Sequence, residues 1–304
     1  MTSCRSNNGS GVRKSILASA LISCTVIAIY FAFFHVTGRQ LDQSMYPKKV
    51  VLALGEAGEQ WQKKYNAIVH VTEQPAGLRF YKIQPLRSKA PVAVKLELQG
   101  HSLEISHVLS LTGTQDRGRN EGIDSIQLNA GFSSQSSIEH DVARRYVWNL
   151  VKSIRAAGWQ KYIEETDPRL SGKAAYEYAV QKHGALDPDY ELSLTEWMTM
   201  PARTRWSFYA KDAFLSLEFD RDMQRMDPAK PGAYLLNVSI SSAEQQFSSN
   251  FEFEERDHWR SLWSAAVRKW KQERNIKEAK LRALGVVIDE GYQDPPLPAE
   301  PVGK

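Results

Sequence analysis

Cysteine is nearly missing from this chain: there are two in 304 residues, Cys4 and Cys24. From residue 25 onward there is none, which excludes a catalytic thiol, a Cys-ligated metal and a disulfide framework from that stretch. The HExxH, GxSxG, GxGxxG and GxxxxGK[ST] patterns are missing too, so the common zinc-protease, serine-hydrolase, dinucleotide and P-loop signatures do not apply. Seven histidines occur, at 35, 70, 101, 107, 140, 183 and 258, and no two are four residues apart. His101 and His107 would fall on adjacent strands and read as half-exposed strand histidines rather than ligands. No cofactor and no metal is expected.

Acidic residues are absent from positions 1–38, and charge of either sign is absent from Ser15 to Phe34. That run, SILASALISCTVIAIYFAFF, has twenty residues. As a helix it would extend about 30 Å, the thickness of a bilayer core. A helix also satisfies its own backbone in lipid. The sequence therefore predicts a cytoplasmic tail over 1–14, a single membrane anchor over 15–37 and a bacterial inner-membrane protein. Arg5, Arg13 and Lys14 precede the run, which favours a cytoplasmic N-terminus and a periplasmic C-terminal domain. Leu21-Ile22-Ser23-Cys24 also matches a lipobox, so the alternative is a lipoprotein processed at Cys24. Ten apolar residues follow Cys24, which argues for the uncleaved anchor. The pI near 8.9 belongs largely to this topology. Past the tail the chain has 36 basic against 35 acidic residues, a balance that does not call for a nucleic-acid partner.

Residues 38–76 read as a juxtamembrane stalk with weak structure. Beyond it the periodicity is of strands. Leu78–Ile83 reads as a strand though it alternates poorly, Val92–Leu98 alternates cleanly, Leu103–Leu111 resumes the strand pattern and Ile123–Phe132 gives another strand. Ser136-x-x-Glu139 predicts a capping box before a helix reaching Ala157, with Gly158 as its stop. Short helices are predicted from Trp159 and over Lys173–Lys182. The order then repeats: a capped turn at Ser193-x-x-Glu196, strands at Arg205–Tyr209, Ala213–Phe219, Tyr234–Ile240 and Phe247–Phe253, and a helix from Asp257 to Leu284. The last helix carries Trp259, Trp263, Val267 and Trp270 on one face, and between Arg256 and Arg282 there are nine basic residues against three acids. The expected fold is α+β, with antiparallel sheets and helices packed on one face. It is divisible into two similar strand-strand-strand-helix units, 77–186 and 187–286, followed by a disordered Pro-rich tail over 287–304.

In layout the chain resembles bacterial envelope proteins that bind other proteins, immunity proteins against envelope-acting toxins among them. That layout implies a non-enzymatic protein-binding protein whose partner is a secreted toxin or an envelope complex subunit. The charged loops 112–122 and 220–232 are the expected contact edges, with Arg117, Arg119, Arg221 and Arg225 as anchors. The alternatives are an envelope hydrolase built on Glu139, His140 and Asp141, and a structural subunit of an envelope or secretion complex.

Overall fold

The structure is a computed structural model that describes residues 46–75, 77–85, 92–98, 100–119, 122–182 and 184–298. The expectations for the tail, the anchor, Cys24 and the start of the stalk lie outside these residues. Among the described residues no helix is long and apolar enough to cross a membrane.

The strands are β1 (Lys49–Ala53), β2 (Val69–Glu73), β3 (Leu78–Ile83), β4 (Val92–Glu97), β5 (Leu103–Asp116), β6 (Ile123–Gly131), β7 (Gln160–Lys161), β8 (Ala185–Leu186), β9 (Arg205–Ala210), β10 (Ala213–Arg221) and β11 (Tyr234–Ser242). The six α-helices among the described residues are α1 (Gly58–Lys64), α2 (His140–Ala156), α3 (Gly172–Lys182), α4 (Leu194–Thr199), α5 (Ala243–Ser248) and α6 (Trp259–Ala283). This is a mixed α+β fold built on one large, mostly antiparallel sheet. The strand order is β1-β4-β5-β6-β11-β10-β9-β7, with β3 also paired to β5, β2 to β3 and β8 to β9. Only β1 with β4 and β8 with β9 run parallel. The two expected sheets are thus one, because β6 and β11 pair from Ser125↔Ser241 to Gly131↔Leu235.

Alternation in the strands divides the sheet into two faces. Ile126, Leu128 and Ala130 of β6, Leu236, Val238 and Ile240 of β11, and Leu215, Leu217 and Phe219 of β10 are buried in one core. Trp61 of α1, Val147, Val151 and Ile154 of α2, Ala179 of α3 and Trp197 of α4 belong to the same core. The helices do not all lie on that face. Phe214, one residue out of phase with Leu215, packs with Phe247 of α5 and with Trp259 and Trp263 of α6 in a second cluster. A lone apolar side chain on a polar face needed a cover, and the tryptophan stripe of α6 supplies one.

The glycines that follow α2 and α6 close them with paired C-terminal bonds of the Schellman type. Gly158 and Gly285 have φ of 91° and 80°. Trp159 N–H reaches Ile154 C=O at 3.3 Å, and Val286 N–H reaches Leu281 C=O at 3.0 Å. The Ser193–Glu196 capping box is present in α4. The one expected at Ser136 is not, since Glu139 occupies the cap of α2 without a side-chain bond. Trp159–Ile163 is not a helix but contains β7, whose Gln160 and Lys161 pair with β9. Phe247–Phe253 is not a strand. Ser242 Oγ accepts Gln245 N–H at 3.1 Å and starts α5 instead.

The segments expected to be loose are also ordered. Residues 46–73 of the stalk contain β1, α1 and β2. The exposed edge of β1 is closed by Tyr65, whose hydroxyl accepts from Val51 N–H at 2.8 Å and donates to Val51 C=O at 3.2 Å. The tail is docked as far as residue 298. Ile288 is buried, Asp289 N–H donates to Arg169 C=O at 2.7 Å, and Arg274 holds Asp294 at 2.8 Å. These partners lie on other elements, so the proline content of the tail did not reveal them.

Candidate functional site

The second face of the sheet is polar where α5 and α6 do not cover it. Strand register sets its side chains in rows. One runs Arg205, Glu218, Asn237, Asn129, Ser110, and the next Ser207, Ser216, Ser239, Gln127, Thr112, Lys82. The third, Tyr209, Phe214, Ser241, Ser125, Thr114, Phe80, passes beneath α5 and α6 at its Phe214 end. Two adjoining depressions of about 370 and 210 Å³ lie in this surface and share Ser216, Glu218 and Ser239. We call the pair the trough.

The charge in the trough is uneven. Arg205 donates to Glu164 at 2.5 Å and so is held by a carboxylate other than the one across the ladder from it. Glu218 accepts only a 3.5 Å bond from Ser216 Oγ and forms no ion pair among the described residues. Asn237, its neighbour on β11, donates its amide to Asp220 at 2.9 Å. Burial pushes the Glu218 carboxyl above its usual range, Arg205 draws it back, and Asp220 adds to the rise. The result is a half-buried acid lined by hydroxyls and amides.

The four arginines singled out by sequence are not brought together. Residues 112–116 of the first expected loop are the end of β5 instead, and Arg117 and Arg119 just beyond it lie at the opposite end of the seven-pair β6–β11 ladder from the 222–233 loop, roughly 20 Å away at 3.4 Å per residue. Arg117 is exposed and lies 3.3 Å from Glu73. Arg119 turns back onto the fold, donating to Ser248 at 3.3 Å and approaching Asp257 at 3.5 Å. Arg225 pairs with Asp222 at 3.4 Å on the surface. Arg221 is no surface anchor. It is 8% exposed and lies over the rings of Phe219, Trp197 and Tyr234, 4.9 to 6.0 Å from their centroids. Its Nη1 donates to Trp197 C=O at 2.7 Å, while Nε and Nη2 have no partner among the described residues. It is the last residue of β10 and shares the phase of Phe219, so alternation carries it inward.

His140, from the hydrolase alternative, is buried beside the same rings. Its Nε2 meets Asp227 C=O at 3.1 Å, and its Nδ1 is bonded to Tyr234 Oη. A carbonyl only accepts, so Nε2 carries the proton and Nδ1 accepts from the tyrosine. Trp197 Nε1–H donates to Tyr234 Oη at 3.1 Å. Both imidazole nitrogens are therefore used in holding α2 to β11 and the 222–233 loop. Asp141 is engaged by Arg144 at 2.8 Å and Arg145 at 3.3 Å. His101 and His107 are also separate, with His101 bonded to Ala157 C=O at 2.8 Å and His107 at a positive-φ position inside β5.

Glu218 and its polar neighbours are not residues that loop composition points to. Their signal was the polar phase of the strands, Ser216-x-Glu218-x-Asp220, Asn237-x-Ser239-x-Ser241 and Ser125-x-Gln127-x-Asn129, which declares one uncovered face. Comparison with protein-family models, curated proteins and solved structures finds no match to this chain.

Proposed function

We propose that this chain is a non-enzymatic protein-binding protein of the bacterial envelope. Residues 15–37 hold it in the inner membrane with its C-terminal domain in the periplasm, and its partner is a secreted, envelope-acting toxin that it neutralises. The observation that carries the binding reading is the polar face left uncovered among the described residues. A sheet buried on one side and lined with hydroxyls, amides and one unpaired carboxylate on the other offers a broad recognition surface. The membrane tether would raise the protein's effective concentration where protection is needed. The hydrolase alternative loses support from His140, whose two ring nitrogens are already engaged.

The finer reading of the fold is a duplication. β4-β5-β6 and β9-β10-β11 are each consecutive antiparallel ladders, joined through the antiparallel β6–β11 pair. That is the order an approximate twofold axis between two copies of one unit would produce.

The test is contact-dependent competition between cells with and without the gene. Loss of the gene should make cells sensitive to their siblings. The wild-type gene should restore resistance, while Ser239→Arg, which fills the trough, should not. Equal survival of the deletion strain would end the neutralisation reading.

A further inference from the structure

Resting on the protein-binding reading, we infer that the trough between β6, β11 and β10 receives a lysine or arginine side chain presented by the partner protein, with its cation against the Glu218 carboxylate. Three observations bear on this. Glu218 sits where the two depressions overlap and forms no ion pair among the described residues. The nearest cation by register, Arg205, is taken by Glu164. The surrounding polar groups, Asn129, Gln127, Asn237 and Ser239, suit the backbone on either side of an inserted side chain.

Charge complementarity decides the occupant. A half-buried carboxylate that feels Arg205 only at a distance and makes no ion pair among the described residues is a cost to the empty site, and an incoming ammonium or guanidinium recovers it. A glycan would use the hydroxyls and amides but would leave Glu218 uncompensated. Glycan sites also stack sugars on exposed rings. Here Phe214 and Tyr162, the rings bordering the smaller depression, are buried against each other at 4.9 Å between centroids. Phe80 stands four strands away, across β11, β6 and β5. A side chain of four or more heavy atoms reaches into about 370 Å³ with its stem on the serine rows.

The probes are N-acetyl-arginine methylamide, N-acetyl-lysine methylamide and the neutral N-acetyl-norleucine methylamide, each titrated into the full chain. NMR would follow the side-chain amide signals of Gln127, Asn129 and Asn237. The two cations should shift these signals saturably, and norleucine should not. Glu218→Gln keeps the side-chain shape and should weaken cation binding at least tenfold; a matching melting curve would show that it folds. Equal shifts with norleucine, no shift with any probe, undiminished binding by Glu218→Gln, or a response to cellobiose alone would each overturn the inference. If Ser239→Arg abolished neutralisation while the cations bound no better than norleucine, the protein-binding reading would survive and the cation pocket would not.

Discussion

The two faces of the one sheet are made from the same strands and differ by a single residue of phase. On the inner face Val238, Leu217 and Leu128 meet helices α2 and α4 in a continuous apolar core. On the outer face Ser239, Ser216 and Gln127 line the open trough among the described residues, and α5 and α6 cross only at Phe214. The inner cover is held mainly by apolar area. The outer cover relies on fixed polar bonds as well. Glu278 of α6 is fully buried and takes Arg169 Nε and Nη2 at 2.9 and 2.8 Å, together with the Arg169 backbone N–H at 3.0 Å. Burial pushes that carboxyl up, but the bonds and charge of Arg169 outweigh burial and leave it below its usual range. Both covers carry polar anchors, His140 and Trp197 on Tyr234 inside and Arg169 on Glu278 outside, but the outer one adds a buried ion pair to its smaller apolar contact.

Breaking the largest of these anchors gives the strongest test. Arg169→Ala leaves the buried Glu278 carboxylate only the 3.4 Å contact of Arg282 as an ion pair among the described residues and should cost about 3 kcal/mol, read as a shift in the denaturant midpoint. An unchanged midpoint would mean that α6 is held by its tryptophans alone. Next in size is a pair of identical changes one residue apart. Val238→Asn puts an amide into the core and should cost roughly 3 kcal/mol, while Ser239→Asn should stay within about 0.5 kcal/mol. Similar losses at both positions would erase the distinction between the faces.

Arg221 offers a smaller effect with a different logic. Burial draws its guanidinium pKa down, and among the described residues no carboxylate faces it and two of its nitrogens are unpartnered. Arg221→Met removes that burden at the loss of one good bond, so stability should change by less than about 1 kcal/mol, in contrast with Arg169. A loss comparable to that of Arg169→Ala would assign Arg221 a partner that these contacts do not contain.

The smallest effect concerns Glu165, buried beside Tyr162, whose hydroxyl donates to it at 3.2 Å. Burial pushes its carboxyl pKa above the ordinary value, outweighing its hydrogen bonds. A raised carboxyl contributes stability below its unfolded pKa of about 4.3 and loses it as pH climbs through the folded value. Glu165→Gln should therefore gain on the wild type between pH 4 and pH 7 in parallel melts. A difference that does not vary with pH would contradict the assigned shift.

Much of the secondary structure was legible in the sequence because its causes are local. Alternation marked β4, β6, β9, β10 and β11 nearly to the residue, and Gly158 and Gly285 stopped their helices as glycine with positive φ does. The trough was half legible. The polar phase of β6, β10 and β11 stands in the sequence, but polar alternation says only that one face is wet. The arginines drew attention because loop charge is conspicuous, yet all four are tied to neighbours or to the body of the fold.

The sequence by itself determined where strands and long helices run and which of their residues share a face, because side-chain period is a property of a few consecutive residues. Only the tertiary structure decided that two sets of strands merge across β6 and β11, that α5 and α6 cover one end of the outer face, and that the tail docks against Arg169 and Arg274. Those outcomes depend on pairings between residues as many as 120 positions apart, such as Arg169 with Asp289. No local pattern encodes them, since each is settled by which distant surface best satisfies a lone apolar ring, a free strand edge or a buried charge.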